Sequence, residues 1–240
     1  MVNYETDPGM LLPHIPLGTE LDLFDGKCLV SIVGFLFDDT RMFGRLSLPL
    51  HKSFEEVNLR FYVKCTVDRE LRRGVVFIKE LVPSRCVTWV ARAVYGENYQ
   101  RIPMRHRITW NNRNQIELGG KFAYQWWHSG RWANLEATTL GELAPLTPGS
   151  LSEFVTEHYW GYSRHGKGSA SVCSSSVGSS SEYRVSHPSW RTWETKTCRF
   201  EADIAGMYGT EFVACLGSAP HSSLVAEGSE VALFRGRRIV

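Results

Sequence analysis

The sequence lacks a long apolar segment. No uninterrupted run of apolar residues reaches the length of about 18 that a membrane-spanning helix needs. The first residues also lack the charged start and apolar stretch of a secretory signal peptide. We therefore expect no membrane association, and we expect a cytoplasmic location.

Clustered positive charge is also scarce. The chain of 240 residues has a net charge of +2, and its basic residues are scattered apart from the short segments RHR and RGRR. Proteins that bind nucleic acids carry a basic stripe or patch that neutralises phosphates. We expect no nucleic-acid partner. The content of 43% hydrophobic and 22% charged residues is ordinary for a soluble globular protein.

The six cysteines form no CxxC pair, which excludes the commonest zinc and dithiol motifs. Several of them lie within apolar strand or helix patterns, where a free cysteine packs as a small hydrophobic residue. We expect reduced and mostly buried thiols. The cysteines are Cys28, Cys65, Cys86, Cys173, Cys198 and Cys215.

Familiar catalytic and cofactor motifs are missing as well. The chain has no GxSxG, HExxH, Walker A or GxGxxG segment. Its eight histidines are isolated, and no two stand at metal-ligand spacing on one predicted element. We expect no metal and no cofactor. His158 and His187 are flanked by aromatic residues, which favours a structural hydrogen-bonding role over catalysis at either position.

What the chain does contain is a series of strand patterns separated by turn signals. Apolar alternation or short runs of β-branched and aromatic residues predict strands. The segments are ELDLF (20–24), KCLVSIVGFLF (27–37), FEEVNLRFYVKCTV (54–67), GVVFIKELVP (74–83), MRHRITW (104–110), IELGGKFAYQWW (116–127), WANLEATTL (132–140), EYRV (182–185), WRTWETKTCRFEADI (190–204) and a final hairpin, SSLVAEGSEVALF (222–234).

Two segments have the signals of principal helices. Ser84 precedes a helix-period pattern that Gly96 ends. Thr147 as N-cap and Pro148 at the first helical position predict the second helix. These two helices and the consecutive strands predict a mainly β fold of the α+β class, built largely from antiparallel hairpins.

Shorter signals complete this interpretation. Asp7 followed by Pro8 predicts the start of a brief helical turn. The pair Asp25–Gly26 predicts a hairpin turn. The stretch 164–182 is rich in serine and glycine, has little apolar surface to bury, and predicts a mobile surface loop.

Charged residues embedded in the strand patterns are the candidate site residues. Glu56 and Arg60 are four residues apart on one strand, so both face the same side of the sheet, with Asn58 between them. Arg92 lies on the first predicted helix. A buried pair of this kind is either an unreactive structural network or, in a cupped sheet, part of the lining of a ligand cavity.

Lys79 and Glu80 stand side by side near the end of the strand GVVFIKELVP. We expect Glu80 to share a face with Ile78, and Lys79 to share the opposite face with Phe77 and Val75. A lysine held in an apolar setting is a candidate Schiff-base nucleophile. A solvated charge at the end of a strand is the alternative.

Several motifs in order resemble the YqjF-like family of uncharacterised conserved bacterial proteins. They are LLPHIPLGTELDLFDG, FEEVNLRFYV, GVVFIKELVPSRCVTWVARAVYGENY, EYRVSHPSW and AEGSEV. The resemblance implies that members usually begin with a further strand-bearing segment, so the sequence leaves open whether the natural start lies upstream of Met1. The serine-rich stretch is longer here than in the family.

That family is similar in fold to acetoacetate decarboxylase. The resemblance implies a single domain over residues 1–240, with an antiparallel β-cone or barrel-like double layer around a central cavity. The decarboxylase uses a Schiff-base lysine, a second lysine beside it, a glutamate and an arginine. Its glutamate corresponds to the FEE segment here, which points to Glu56 ahead of Glu55.

By the same resemblance, the lysine pair of the decarboxylase falls on or near Tyr99–Gln100 in this chain, and neither residue carries an amine. Lys79 lies on the preceding strand, and its neighbour Glu80 is a carboxylate, which raises rather than lowers the pKa of a lysine. Schiff-base decarboxylation is therefore not expected.

Our leading hypothesis is a protein that binds a small organic ligand, bearing a carboxylate or carbonyl, in the interior cavity of the β-cone. Its polar anchors would be Glu56, Arg60, Arg92 and Tyr99, since the planar fork of an arginine suits a carboxylate. The alternative is a lyase, hydratase or hydrolase acting on a small keto or hydroxy acid, with Glu56 and Glu80 as acid–base residues.

A third hypothesis is a protein-interaction module that exposes the tryptophan-rich segments YQWWHSGRW and HPSWRTW, because tryptophan is favoured at interface hot spots. The sequence leaves open whether the chain forms a homo-oligomer.

Overall fold

The computed structural model of the chain describes residues 1–38, 41–42, 46–47, 53–84, 98–112, 116–165, 179–234 and 236–239, and strands predominate in these ranges. The strands are β1 (Val2–Thr6), β2 (Glu20–Leu21), β3 (Cys28–Asp38), β4 (Arg41–Met42), β5 (Leu46–Ser47), β6 (Ser53–Val67), β7 (Glu70–Val82), β8 (Tyr99–Arg101), β9 (Met104–Trp110), β10 (Gly120–His128), β11 (Arg131–Ala144), β12 (Trp160–His165), β13 (Ser179–Ser186), β14 (Thr192–Glu201), β15 (Ser222–Ala226), β16 (Ala232–Leu233) and β17 (Arg237–Arg238).

The helices of the described ranges are short. The α-helices are Pro8–Leu11, Leu151–Thr156, Ile204–Tyr208 and Val213–Leu216, and the 3₁₀ turns are Leu12–His14, Ile116–Leu118 and Thr210–Phe212. None of the helices in the described ranges is long and apolar enough to cross a bilayer.

One large sheet contains 15 of the strands, in the order β16-β13-β12-β7-β6-β3-β1-β15-β14-β11-β10-β9, with β17, β2 and β8 attached to β13, β6 and β7. Most neighbouring strands are antiparallel, but β7 pairs in parallel with both β12 and β8. The sheet is therefore mixed and open, with β16 and β9 at its ends. The expected mainly β class is confirmed.

The open sheet curls so that β3 and β6 face β9 and β10. Gly34 on β3 comes so close to β10 that an added Cβ would lie 2.6 Å from Cδ2 of Tyr124. Fully buried side chains from both layers, including Leu59 of β6 and Trp126 of β10, belong to one hydrophobic core. Burial of this core stabilises the double layer, because each side chain removed from water contributes roughly 1.5–3 kcal/mol.

A β-bulge interrupts the pairing of β6 with β7. Leu59 stands opposite Lys79, but the next residue, Arg60, stands opposite Phe77, so Ile78 is the extra residue. Residues directly opposite in an antiparallel pair share a face of the sheet. Lys79 and Phe77 therefore lie on opposite faces, and the expectation that they share one was wrong because a single inserted residue reverses the alternation.

The second principal helix begins later than predicted. It covers Leu151–Thr156, and its N-cap is Ser150, whose Oγ accepts from the backbone N–H of Glu153 at 3.2 Å. The prediction that Thr147 is the N-cap was wrong, because a turn with Gly149 at φ +76° separates Thr147 from the helix. The first predicted helix, between Ser84 and Gly96, lies almost entirely outside the described residues.

Two other local predictions differ from the structure. The segment 222–234 does not form a hairpin, because β15 pairs with β1 and β14 whereas β16 pairs with β13. The serine-rich stretch 164–182 was predicted to be a loop, but residues 164–165 and 179–182 are paired strand residues of β12 and β13. The remainder of that stretch, 166–178, lies outside the described residues.

The short turn signals near the amino end are confirmed. Asp7 caps the helix Pro8–Leu11, with its Oδ1 accepting from the N–H of Gly9 at 2.8 Å. Asp25–Gly26 forms the turn between the bridged residues Phe24 and Lys27, with both central residues at positive φ.

Candidate functional site

Glu56, Asn58 and Arg60 lie on one face of β6, as their period-two spacing predicts. Their exposed fractions are only 4%, 0% and 8%. The amide Nδ2 of Asn58 donates to Oε1 of Glu56 at 3.0 Å. We call these three residues the β6 polar row. A buried charge is unfavourable without hydrogen bonds, so the contacts of each member decide what the row can do.

Tyr99 reaches Glu56 from the adjoining strand. β8 runs parallel to β7, with Tyr99 in register with Glu80. The Tyr99 hydroxyl donates to Oε2 of Glu56 at 3.1 Å. Each carboxyl oxygen of Glu56 therefore accepts a hydrogen bond, one from Asn58 and one from Tyr99. The structure thus brings together three of the residues that the sequence proposed, Glu56, Arg60 and Tyr99, on one side of the sheet.

The environment of Glu56 sets its protonation near neutral pH. Burial raises its pKa to about 7, while the hydrogen bonds from Asn58 and Tyr99 and the charge of Arg60 act in the opposite direction. Phe54 and Val82 form a small buried apolar cluster against which Tyr99 packs. A carboxyl group that titrates near pH 7 is suited to accept or donate a proton in catalysis.

Glu80 lies on the same face as the β6 polar row. It stands opposite Asn58 in the β6–β7 ladder, and it is only 1% exposed. A second carboxyl group therefore lies one strand away from Glu56, next to Tyr99 in register. Arg92, the remaining sequence candidate, lies outside the described residues.

Lys79 is turned away from this site. Its Nζ donates to Oε1 of Gln100 at 3.3 Å. Tyr99 and Gln100, to which the resemblance assigned the lysine pair, are consecutive strand residues and so point to opposite faces. Tyr99 contacts Glu56, and Gln100 contacts Lys79. The amine of Lys79 therefore lies on the opposite face of the sheet from Glu56.

Arg60 connects the β6 polar row to the helix Leu151–Thr156. Its Nη2 donates to the carbonyl oxygen of Val155 at 2.8 Å, in the last turn of that helix, where a cation interacts favourably with the free carbonyl groups. The guanidinium carbon lies 5.8 Å from the ring centre of Tyr62. The Nε of Arg60 has no hydrogen-bond partner within the described ranges.

His158 follows this helix and is 6% exposed. Its ring packs against Tyr62, with centroids 4.8 Å apart, and against Phe154 at 5.6 Å. Burial, with help from the positive charges of Arg60 and Arg73, holds its pKa well below the usual value. Neither ring nitrogen has a partner in the described part of the chain. Within the described ranges, the His158 ring therefore makes aromatic contacts and lacks the hydrogen bonds expected of a structural histidine.

A hydrogen-bonded chain that sequence reasoning missed extends the same face. The hydroxyl of Ser31, which stands opposite Arg60 on β3, lies 2.5 Å from the hydroxyl of Tyr62 and donates to Oδ1 of Asn3 at 2.6 Å. All of these side chains are buried. The signal for Ser31 is present in the sequence as a lone polar residue in the apolar run of β3.

His187 fits the structural role proposed from the sequence. Its ring stacks between Tyr159, at 4.9 Å, and Trp190, at 4.1 Å, and its Nδ1 donates to the carbonyl oxygen of Pro188 at 2.8 Å.

The opposite face of β6 carries a separate polar contact. Oε1 of Glu55 lies 2.7 Å from Nδ1 of His106 on β9, between the two layers of the sheet. Glu55 and Glu56 therefore belong to different environments, although the sequence alone placed them side by side as candidates for one role.

A surface depression of about 180 Å³ lies beside the bulge, and it is lined by His14, Val76, Phe77, Ile78, Asn98, Ser163 and Arg164. It contains no member of the β6 polar row. The depression and the β6 polar row are therefore separate features of the molecule. Within the described ranges, no three histidine, cysteine, aspartate or glutamate side chains are grouped closely enough to hold a metal ion.

A family model for uncharacterised conserved proteins, DUF2071, matches residues 1–230. The chain belongs to this family. The family resemblance carried by the sequence motifs is therefore confirmed. A search of curated proteins found no match to this DUF2071 chain.

Several solved structures are similar to this DUF2071 member. An acetoacetate decarboxylase aligns with a TM-score of 0.64 at 12% identity, over 99% of this chain and 84% of that chain. The enduracididine biosynthesis enzyme MppR, complexed with pyruvate, gives 0.61 at 14% identity, over 99% and 86%. An acetoacetate decarboxylase-like enzyme from Sphingomonas wittichii RW1 gives 0.58 at 14%, over 99% and 86%. The acetoacetate decarboxylase-like fold is confirmed.

Proposed function

We propose that this chain binds a small organic molecule bearing a carboxylate or a carbonyl group, on the face formed by the β6 polar row, Glu80 and Tyr99. Glu56 carries this proposal. It is buried, both of its oxygens accept hydrogen bonds, and its pKa is about 7. Strongly perturbed groups of this kind are concentrated at functional sites.

The structural neighbours support the ligand class. MppR is complexed with pyruvate, which is a small keto acid, in one of the similar structures. Others are acetoacetate decarboxylases or enzymes like them. A shared fold does not establish a shared function, so the residues of this chain must supply the chemistry.

Those residues suit a small acid or carbonyl compound. The guanidinium of Arg60 is a donor for a carboxylate. Tyr99 holds Glu56 in place through its hydroxyl, and Glu56 can exchange a proton near pH 7. Arg92 stays in the proposal as a further anchor from the sequence. Schiff-base chemistry is not part of the proposal, because Lys79 lies on the opposite face.

Calorimetric titration with pyruvate, acetoacetate and, as a non-carbonyl comparison, propionate tests this proposal. We expect Glu56→Gln to weaken binding of the keto acids by about tenfold, the scale of one buried hydrogen bond to a charged group, here the O–H of protonated Glu56 donating to the ligand carboxylate. Glu55→Gln is the matched variant, since it removes the adjacent carboxylate on the other face and should leave binding unchanged. Absence of binding by the whole panel, or loss of binding in Glu55→Gln alone, would overturn the proposal.

An enzyme that acts on a small keto or hydroxy acid is the second candidate. The pKa of Glu56 and the position of Glu80 on the same face favour it, because two carboxyl groups can divide the acid and base roles of a lyase, hydratase or hydrolase. In that case Glu56→Gln would abolish turnover and leave both ligand affinity and folding intact. A pure binding protein would instead lose affinity and show no turnover.

The structure gives less support to a tryptophan-based interaction surface. Trp127 is 42% exposed and pairs edge-to-face with Trp132, but Trp126 and Trp193 are fully buried. Among the described tryptophans, Trp127 is the one that is exposed.

We place the ligand-binding function in the cytoplasm, as the sequence indicated, and fractionation of native cells tests that location.

A further inference from the structure

Three side chains on the polar-row face are buried and carry polar atoms without a hydrogen-bond partner in the described part of the chain. The atoms are Oδ1 of Asn58, Nε of Arg60 and both ring nitrogens of His158. Leaving a buried polar atom unpaired costs about 1–3 kcal/mol. Native proteins contain few such atoms, so several of them together need an explanation.

These groups are neighbours in the fold. Asn58 and Arg60 are alternate residues of β6, so their Cα atoms are about 6.6 Å apart. The ring of His158 lies 4.8 Å from that of Tyr62, and the Arg60 guanidinium is 5.8 Å from the same ring. Tyr62 thus links Arg60 with His158, and Asn58 lies next to Arg60 on the same face of β6.

The unpaired atoms define what such a ligand must offer. Asn58 presents an acceptor, because its amide nitrogen already donates to Glu56. Arg60 presents a donor at Nε. His158, whose pKa is held well below the usual value, is a neutral imidazole with one donor and one acceptor nitrogen. A complementary ligand therefore needs acceptor oxygens and also a donor of its own.

A keto acid meets only half of this requirement, since it has acceptors and no donor. A 2-hydroxy acid meets more of it, because its carboxylate accepts from Arg60 and from the N–H of His158, and its one hydroxyl hydrogen is donated to Asn58. We propose that Asn58, Arg60 and His158 form a subsite that selects a short 2-hydroxy acid over the corresponding 2-keto acid. The inference rests on the proposed function and narrows the ligand class of that site.

Lactate and pyruvate are the matched probes, because they differ only in whether the oxygen at carbon 2 can donate. In calorimetric titrations of the full chain, we expect lactate to bind about tenfold more tightly, since a polar site discriminates against a ligand that leaves a buried group unpaired. Arg60→Lys should weaken both acids alike, because it affects the shared carboxylate. Arg199→Lys, at an exposed ion pair with Glu201, should weaken neither.

His158→Phe separates a ligand-binding role from a structural one. Phenylalanine keeps the ring packing against Tyr62 and Phe154, and it removes two unpaired nitrogens. We expect the unfolding midpoint to stay the same or rise, because an unpaired buried polar group is lost. We also expect the affinity for lactate to fall about tenfold.

Other results overturn the subsite. Equal affinity for lactate and pyruvate overturns the subsite and leaves the proposed function intact. If neither acid binds, and the other keto acids of the panel do not bind either, both the subsite and the proposed function are overturned. A His158→Phe variant that is less stable and still binds lactate normally would show that the imidazole is structural. A crystal structure grown in saturating lactate, with only an ordered water against the three groups, would also contradict the subsite.

Discussion

The substitution Glu56→Gln keeps the shape of the Glu56 side chain and removes its ionisation. The pKa of Glu56 is raised from 4.5 to about 7 in the folded chain. At 1.36 kcal/mol for each pKa unit, the ionised carboxylate therefore lowers the stability of the folded chain by about 3 kcal/mol. Glutamine resembles the protonated form and never carries this charge.

The direction of the pH effect follows from the raised pKa. Below pH 4.5 the carboxyl group is protonated in both the folded and the unfolded chain, and its contribution to stability is fully present. As the pH rises toward and past 7, the unfolded chain ionises first and this contribution is lost. The stability of the wild type relative to Glu56→Gln should therefore fall by about 3 kcal/mol between pH 4 and pH 8.

Urea unfolding at a series of pH values, for both proteins, measures this difference and cancels the titration of all other groups. Glu194→Gln, at an exposed position of β14, is the control for simple removal of a carboxylate and should show little change with pH. A free-energy difference between wild type and Glu56→Gln that does not vary with pH would refute the assignment of Glu56 as a buried group that titrates near neutrality.

Three further outcomes are expected. Tyr99→Phe removes a donor to the ionised form of Glu56, so the pKa of Glu56 should rise further and the loss of stability should move to higher pH in the same urea series; an unchanged midpoint would contradict the contact. Gly34→Ala should destabilise the chain by about 1–3 kcal/mol in urea unfolding, because the added methyl group collides with Tyr124, and a neutral effect would contradict the close packing of β3 on β10. Borohydride reduction in the presence of pyruvate should leave Lys79 unmodified by mass spectrometry, whereas an adduct there would show that the amine reaches the ligand.

The local pattern of the sequence predicted one side of the site. Period-two spacing placed Glu56, Asn58 and Arg60 on one face of a long strand, and the structure confirms that face. The bulge at Ile78 was not predictable in the same way, because it depends on how β7 pairs with β6 and not on either strand alone. The face of Lys79 was consequently wrong.

Contacts between distant segments account for most of what the sequence did not predict. His158 reaches the polar-row face only because the helix Leu151–Thr156 packs there, and single-strand periodicity contains no signal for that. By contrast, the N-cap of that helix was predictable from the local sequence. Ser150 and Glu153 have the spacing of a capping box, and the preceding Gly149 favours a turn, so the Thr147 prediction overlooked a local signal.

The central claim is that the face of β6 bearing Glu56 holds a small acid or carbonyl ligand. A crystal structure of the full chain grown with saturating pyruvate or lactate tests it most directly. We expect ligand density against Glu56, Arg60 and Tyr99 on that face. Density only on the opposite face beside Glu55, or only in the surface depression beside Ile78, would contradict the claim.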